Sequence, residues 1–396
     1  MIKESRWKAL FFIYLMMLVF AFTFQSIPPV LGFLTESLGI THAQAGALMS
    51  LFALPGILIS IPGGVLADVY GPKRVGVIAL SLAVVGTLLV GLGNSFSLIL
   101  VGRLISGIGA MTIAVVAPQT LSRWFVDGHL GKAMGIFNTA MPLGTIFSLN
   151  IFGRLGAAGG WRAPILLTAA YSFFVLLMFW FKYPSLPGEQ QEKAKPEFNA
   201  GMLVSGKMSI WLIAVIWMMY NAAAISYLTF GGDYYLTVGY GVSYAGFLTS
   251  LLMVGSLLFS PLVGSLTDRF GREEYFIIGG SLMLALLLFL VPRAGLNPLL
   301  LGGMIGLFAA SVPAPVFALV PKRMPMSQVG LGYGILSTCL NIGVLVGPLL
   351  IGLSYDRVGH YIFGFNIMAI FALFTAAPAV LLLYMGRSNL GQKSMP

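Results

Sequence analysis

The stretch Gly64-Val-Leu-Ala-Asp68-Val-Tyr-Gly71-Pro-Lys73-Arg74 returns 200 residues later as Gly264-Ser-Leu-Thr-Asp268-Arg-Phe-Gly271-Arg272-Glu273-Glu274. Each copy sits between two long apolar runs. The same offset lays Val101-Gly102 on Leu301-Gly302 and Arg123 on Arg323, and an offset of 199 lays Gly135-Ile136 on Gly334-Ile335 and Gly144 on Gly343. Separate matches at a spacing of about 200 divide the chain into two like halves that run in the same direction. Such a duplication implies a pseudo-twofold axis along a membrane normal, with a binding site between the halves near mid-depth.

Composition requires the membrane. Of 396 residues, 58% are hydrophobic and only 9% charged, and the mean hydropathy is +0.94. A water-soluble fold of this composition would expose apolar surface everywhere, whereas the 49 glycines suit helices packed closely in lipid. Apolar runs of about 20 residues, the length that crosses about 30 Å of hydrocarbon, number twelve. They cover 9–31, 43–67, 75–93, 98–121, 132–154, 163–181, 208–230, 243–266, 275–292, 298–320, 329–352 and 362–385. The first run is too long for a signal peptide and has no evident cleavage site. The expected fold is therefore an all-α membrane protein with twelve transmembrane helices in two pseudo-twofold related six-helix bundles. The bundles are residues 1–182 and 208–396, joined by a cytoplasmic linker at 183–207 that is rich in Pro, Gly and charge.

Of the 22 lysines and arginines, all but Arg103, Arg154, Arg162, Arg293 and Arg357 fall on segments of one side, which also carries both termini. The positive-inside rule makes that side cytoplasmic, and a multi-pass protein of the cytoplasmic membrane is expected. The net charge of +10 thus reports topology and contact with the lipid bilayer, without nucleic acid. The single cysteine, Cys339, excludes an intrachain disulfide and is read as packing.

The two copied stretches resemble the signature of the major facilitator superfamily, a G-x-L-a-D-r-x-G-r-K/R pattern between helices 2 and 3, and the resemblance covers nearly the whole chain. Gly64, Leu66, Asp68, Gly71, Lys73 and Arg74 match it, with Val69 and Pro72 departing; Gly264, Leu266, Asp268, Arg269, Gly271 and Arg272 match it in the second half. The resemblance implies a secondary transporter and not an enzyme. It also implies that Asp68, pairing with Lys73, Arg74 or a helix N-terminus of the other half, closes an inner gate. Asp268 and Arg272 would form a weaker latch, because Glu273 and Glu274 replace the basic residues that usually follow.

Arg103, in Arg103-Leu-Ile-Ser-Gly107-Ile-Gly109, interrupts an apolar helix and resembles the family's R-x-x-x-G-x-G motif. A guanidinium there costs several kcal/mol unless paired or hydrated, so it is expected to face the central cavity, with snorkelling to the headgroups as the alternative. As the lone cavity charge it favours a small organic or inorganic anion, and replacing it is expected to abolish uptake without unfolding the protein. Gln25, Asn138, Tyr220, Asn221, Tyr227 and Asn341 are the other candidate substrate contacts, each a polar group in an apolar helix, with Thr139 beside them. Interhelical hydrogen bonding is the alternative for each. No Asp, Glu, His or Lys lies well inside a span; Glu36, Asp233 and the three histidines fall in expected loops, and Tyr234 and Tyr235 read as an interfacial belt.

Pro28-Pro29, Pro118, Pro142, Pro313, Pro315 and Pro348 can kink their helices. Pro142-Leu-Gly144-Thr145 departs from the G-P-x-x-G-G pattern of the family's antiporters, which places multidrug or metabolite efflux by proton antiport second to anion transport. A neutral-solute carrier is third. No nucleotide loop, zinc helix or intramembrane protease motif occurs, and neither a cofactor nor a metal is expected. A small-molecule substrate, a monomeric state and an optional coupling proton complete the expectation.

Overall fold

The computed structural model describes residues 2–59, 70–125, 129–184, 208–293, 295–324 and 329–391. Asp68 and residues 185–207 of the linker lie outside the described residues, as does the side chain of Asp268. Among the described residues twelve helices are long and apolar enough to cross a membrane. They are α1 (Ser5–Leu38), α2 (His42–Ile59), α3 (Pro72–Leu92), α4 (Phe96–Trp124), α5 (Lys132–Gly159) and α6 (Arg162–Lys182), followed by α7 (Met208–Thr237), α8 (Val242–Phe270), α9 (Glu273–Leu290), α10 (Pro298–Arg323), α11 (Val329–Val358) and α12 (Ile362–Gly391). Twelve antiparallel crossings return the chain to the side it began on. That side, which carries most of the basic residues, is called the basic face, and the opposite one the distal face.

Proline and glycine decide where helices break. α1 stops at Phe24, makes a single 3₁₀ turn at Pro28–Val30 and resumes at Leu31–Leu38. α10 is divided between Ala309 and Pro313, and α5 carries a π-helical turn at Ser148–Phe152 beyond Pro142. Pro118, Pro261 and Pro348 instead lie within continuous helices. α7 runs seven residues beyond its expected end at 230, and this places Asp233, Tyr234 and Tyr235 on a helix rather than in a loop.

The two halves meet along two seams in the distal half of the bilayer, and each seam is set by a glycine. Along α2 and α11, a Cβ on Gly46 would stand 2.5 Å from the Pro348 carbonyl oxygen, and one on Gly352 would stand 2.2 Å from that of His42. Ser50 Oγ donates to the Leu345 carbonyl in the same seam at 2.5 Å. Along α5 and α8, a Cβ on Gly246 would lie 2.0 Å from the Leu149 carbonyl oxygen, and Asn150 Nδ2 donates to Ser250 Oγ at 3.0 Å. The seams are copies. An offset of 200 carries Gly46 to Gly246 and Ser50 to Ser250, and one of 199 carries Leu149 to Pro348. In hydrocarbon, where burial of apolar surface gives no preference for protein over lipid, this close backbone approach and its hydrogen bonds supply the attraction between halves.

Gly46→Leu is expected to wedge the α2–α11 seam apart at an overpacking cost of about 1–3 kcal/mol. A fall in thermal stability in detergent, absent for Gly135→Leu where an added Cβ meets nothing within 4 Å, checks this.

Candidate functional site

Arg103 is 1% exposed, on α4, and turns inward to α1 and α2. Its Nη1 donates to the Thr23 carbonyl at 2.7 Å, Nη2 to the Phe24 carbonyl at 3.4 Å and Nε to the Leu48 carbonyl at 3.0 Å. The Phe52 ring lies 4.3 Å from the guanidinium carbon. The reason is local. A helix ending at Phe24 leaves its last carbonyls without partners, and the residue four positions on from Phe24 is Pro28, which has no N–H. The guanidinium supplies those donors. Arg103 therefore caps the first part of α1 and staples it to α2 and α4, and in this conformation it presents no free cation to a water-filled crevice, contrary to the expectation from sequence.

The other expected contacts divide. Gln25 is fully buried in the break of α1, and neither its Oε1 nor its Nε2 has a hydrogen-bond partner. Asn341, on α11, gives Nδ2 to the Ser337 carbonyl one turn back, leaves Oδ1 without a partner and packs its amide against Gly56 of the other half. Asn138 is exposed, and the neighbouring Thr139 Oγ1 lies 3.1 Å from the Tyr14 hydroxyl of α1. Tyr220 stacks on Trp217 at 5.5 Å, and Asn221 Nδ2 donates to its own helix at the Trp217 carbonyl. Tyr227 is fully buried within the second half, its hydroxyl 3.3 Å from that of Tyr235, so it is placed as packing rather than as a contact. Tyr235 is 2% exposed and is core, not belt.

Buried oxygens without partners also occur at Thr87 on α3 and, on other helices, at Thr23, Thr145, Ser148, Ser226 and Thr338. With Gln25 and Asn341 the latter lie on α1, α5, α7 and α11, the helices related in pairs by the pseudo-twofold axis. Buried polar atoms ordinarily find partners, so these atoms are unused hydrogen-bonding capacity within the helix bundle.

On the basic face Lys73 Nζ donates to the Tyr183 carbonyl at 3.3 Å, Arg74 is exposed, and Arg272 lies over the Tyr275 ring at 5.6 Å. Glu273 and Glu274, which interrupt the copied motif, are buried at the start of α9. Glu273 accepts from Lys322 Nζ, and Glu274 accepts from Arg323 Nη2 at 2.5 Å. The second half thus inverts the charge of the motif and ties α9 to the end of α10.

The distal face holds a cluster that the loop assignment concealed. Asp356, at the end of α11, accepts the backbone N–H of His42 at 2.9 Å and of Ala43 at 2.7 Å, capping α2 of the other half. The His42 ring has Nδ1 3.6 Å from Asp356 Oδ1 and Nε2 3.6 Å from Asp233 Oδ2, and it packs on Tyr355 at 3.8 Å. Asp233 is 8% exposed and accepts from the Tyr361 hydroxyl. Burial, then the Asp233 carboxylate, pushes that hydroxyl well above the usual phenol range, so it remains a donor.

Twelve spans in two copies define a duplicated polytopic membrane protein. The family model of the Major Facilitator Superfamily matches residues 13–243 and 233–394, and the chain belongs to that family. It is 24% identical over 371 residues to the lysosomal dipeptide transporter MFSD1 of Danio rerio, covering 88% of this chain and 80% of the relative. It is 24% identical over 357 residues to the "Probable sulfoacetate transporter SauU" of Cupriavidus necator, covering 82% of each. A crystal structure of the nucleoside transporter NupG, in a mutant form, superposes with a TM-score of 0.76 at 15% identity, over 95% of this chain and 99% of that one. The protein is a multi-pass membrane transporter with a small-molecule substrate, and not an enzyme.

Arg103→Lys, which cannot reach three carbonyls at once, is expected to destabilise the fold by about 1–3 kcal/mol. In a double-mutant cycle with Pro28→Ala the two changes should be non-additive, because an N–H at position 28 gives the Phe24 carbonyl its own partner. Thermal melting of the four proteins reads both effects.

Proposed function

We propose that this transporter works by alternating access and carries a small polar organic solute, bound between the halves by uncharged amide and hydroxyl groups. The band of unpartnered buried oxygens and amides on α1, α5, α7 and α11 carries this reading, with Gln25 at its centre because both of its polar atoms lack a partner. A solute that fills that capacity gains hydrogen bonds at little desolvation cost to the protein. Closed distal seams leave access from the basic side, which the distribution of Lys and Arg makes cytoplasmic. Release of the distal seams, with closure near Asp68, would expose the same band to the other side.

The anion reading has one observation in its favour. Arg103 has three carbonyls, the Met49 sulfur and an aromatic ring as its partners and no carboxylate among them, so its charge is solvated but not neutralised. Direct contact with an anion requires the guanidinium to leave the α1 carbonyls. The relatives do not decide between the readings, since a dipeptide, sulfoacetate and a nucleoside differ in charge.

Gln25→Leu is expected to lower the affinity for the transported solute by about ten-fold or more while preserving the melting temperature. A thermal-shift screen of dipeptides, nucleosides, sugars and small carboxylates identifies the solute, and counterflow in proteoliposomes measures the effect. A substrate that proves anionic, with transport insensitive to Gln25→Leu and lost when Arg103 becomes Gln in folded protein, would overturn recognition by neutral groups.

A further inference from the structure

His42, Asp233 and Asp356 lie on three helices from two halves, 314 residues apart at the extremes. Their geometry has a chemical requirement. Each ring nitrogen of His42 faces a carboxylate oxygen, and a neutral imidazole carries hydrogen on one nitrogen only. In either neutral tautomer the other nitrogen turns a lone pair toward a carboxylate. The imidazolium offers an N–H to both. At 3.6 Å these are ionic contacts rather than hydrogen bonds, and they sit under the ring of Tyr355, which also favours a cation.

We infer that His42 is a proton-binding site whose occupancy holds the distal gate closed, with the proton as ligand and Asp233 and Asp356 as its counter-charges. This rests on the alternating-access reading above. The groups that face the imidazole are Asp233 from α7, Tyr355 and Asp356 from α11 and Tyr361 from the turn before α12. Glu36 of α1 lines the same recess as Asp233. Tyr361 keeps its proton and its bond to Asp233, and Gly32 of α1 is so close to that carboxylate that a Cβ would lie 2.9 Å from Oδ1. Asp233 is therefore fixed in place, and the imidazole, which belongs to the other half, is the member whose two carboxylate contacts depend on the halves being together.

The sign follows. In the closed state the proton has two carboxylates; when the halves part, His42 moves away from both, because it belongs to the first half and they to the second. The closed state therefore binds the proton more tightly, and by linkage a low distal pH favours closure while a high distal pH favours opening. The His42 side chain is 21% exposed with the gate closed, so its proton exchanges with distal water and stays on that side. The site sets the gate by distal pH and adds no proton to the transported charge.

Spin labels at Ala158→Cys and Leu296→Cys, exposed distal positions of the first and second halves, report gate separation in nanodiscs without any solute. The long-distance population is expected to rise about five-fold or more between about pH 5 and about pH 8. His42→Gln should abolish the rise, and Asp233→Asn should reduce it. The wedge variant Gly46→Leu serves as the control for opening. Distances unchanged by pH in both the wild type and the wedge variant, or a full pH response in His42→Gln, overturn the proton site. Failure of the wedge variant to separate the labels would instead remove the alternating-access reading, and the proton site with it.

Discussion

Two helix pairs touch backbone to backbone, α2 with α11 and α5 with α8, and the rest of the architecture depends on that contact. Lipid tails are as apolar as leucine, so halves made of apolar helices have no solvent-driven reason to stay together. They adhere where small residues let carbonyls approach and where a few polar groups bond across the gap. Gly46, Gly246 and Gly352 provide the approach; Ser50 and Asn150 provide the bonds. Contacts of this kind are either made or absent, since an oxygen that has lost its glycine neighbour by an ångström has lost most of the packing too. Halves that move as bodies about such seams have few intermediate resting places.

The break in α1 shows how an intramembrane cost is met by a distant residue. Pro28 removes the backbone donor opposite the Phe24 carbonyl, and Arg103 of α4 donates to that carbonyl and to the one before it, at Thr23, which also accepts from Ser26 Oγ. A buried guanidinium and a broken helix would each be unfavourable alone; together each supplies what the other lacks. The break in turn puts Gln25 where neither of its side-chain polar atoms finds a partner. Here an arginine in an apolar helix shapes the backbone of its neighbours in this conformation.

The architecture was legible because hydropathy and duplication both report through spacing. The spans fall within a few residues of the apolar runs, apart from the longer distal ends of α1, α5, α7 and α11 and the longer basic-side end of α12, and the copied glycines lie at offsets of 199 and 200. Side-chain direction leaves no such trace. Nothing in Arg103-Leu-Ile-Ser tells a guanidinium facing a crevice from one turned to a carbonyl, and the clue that existed was the pair of prolines 75 residues earlier. His42, Asp233 and Asp356 were hidden for another reason. Each sits at the end of an apolar run, where charge is normal, and only the fold brings them within 4 Å. The extension of α7 by two turns converted Asp233 from a loop acid to a buried helical one.

Symmetry separates mechanics from chemistry in this molecule. The offsets that repeat the seam glycines replace Arg103 by Gly303, Gln25 by Ile225, His42 by Val242 and the Lys73-Arg74 pair by Glu273-Glu274. Under the alternating-access proposal, two bodies rocking about a common axis benefit from equal seams, which accords with the duplicated contacts. A small solute has no twofold axis, and a site made of two identical walls could present only paired groups to it. Groups that distinguish one end of a ligand from the other, or a protonated gate from an open one, must therefore occur where the copies differ. The positions at which the halves have diverged in polarity are accordingly the ones that bear on what is carried and when.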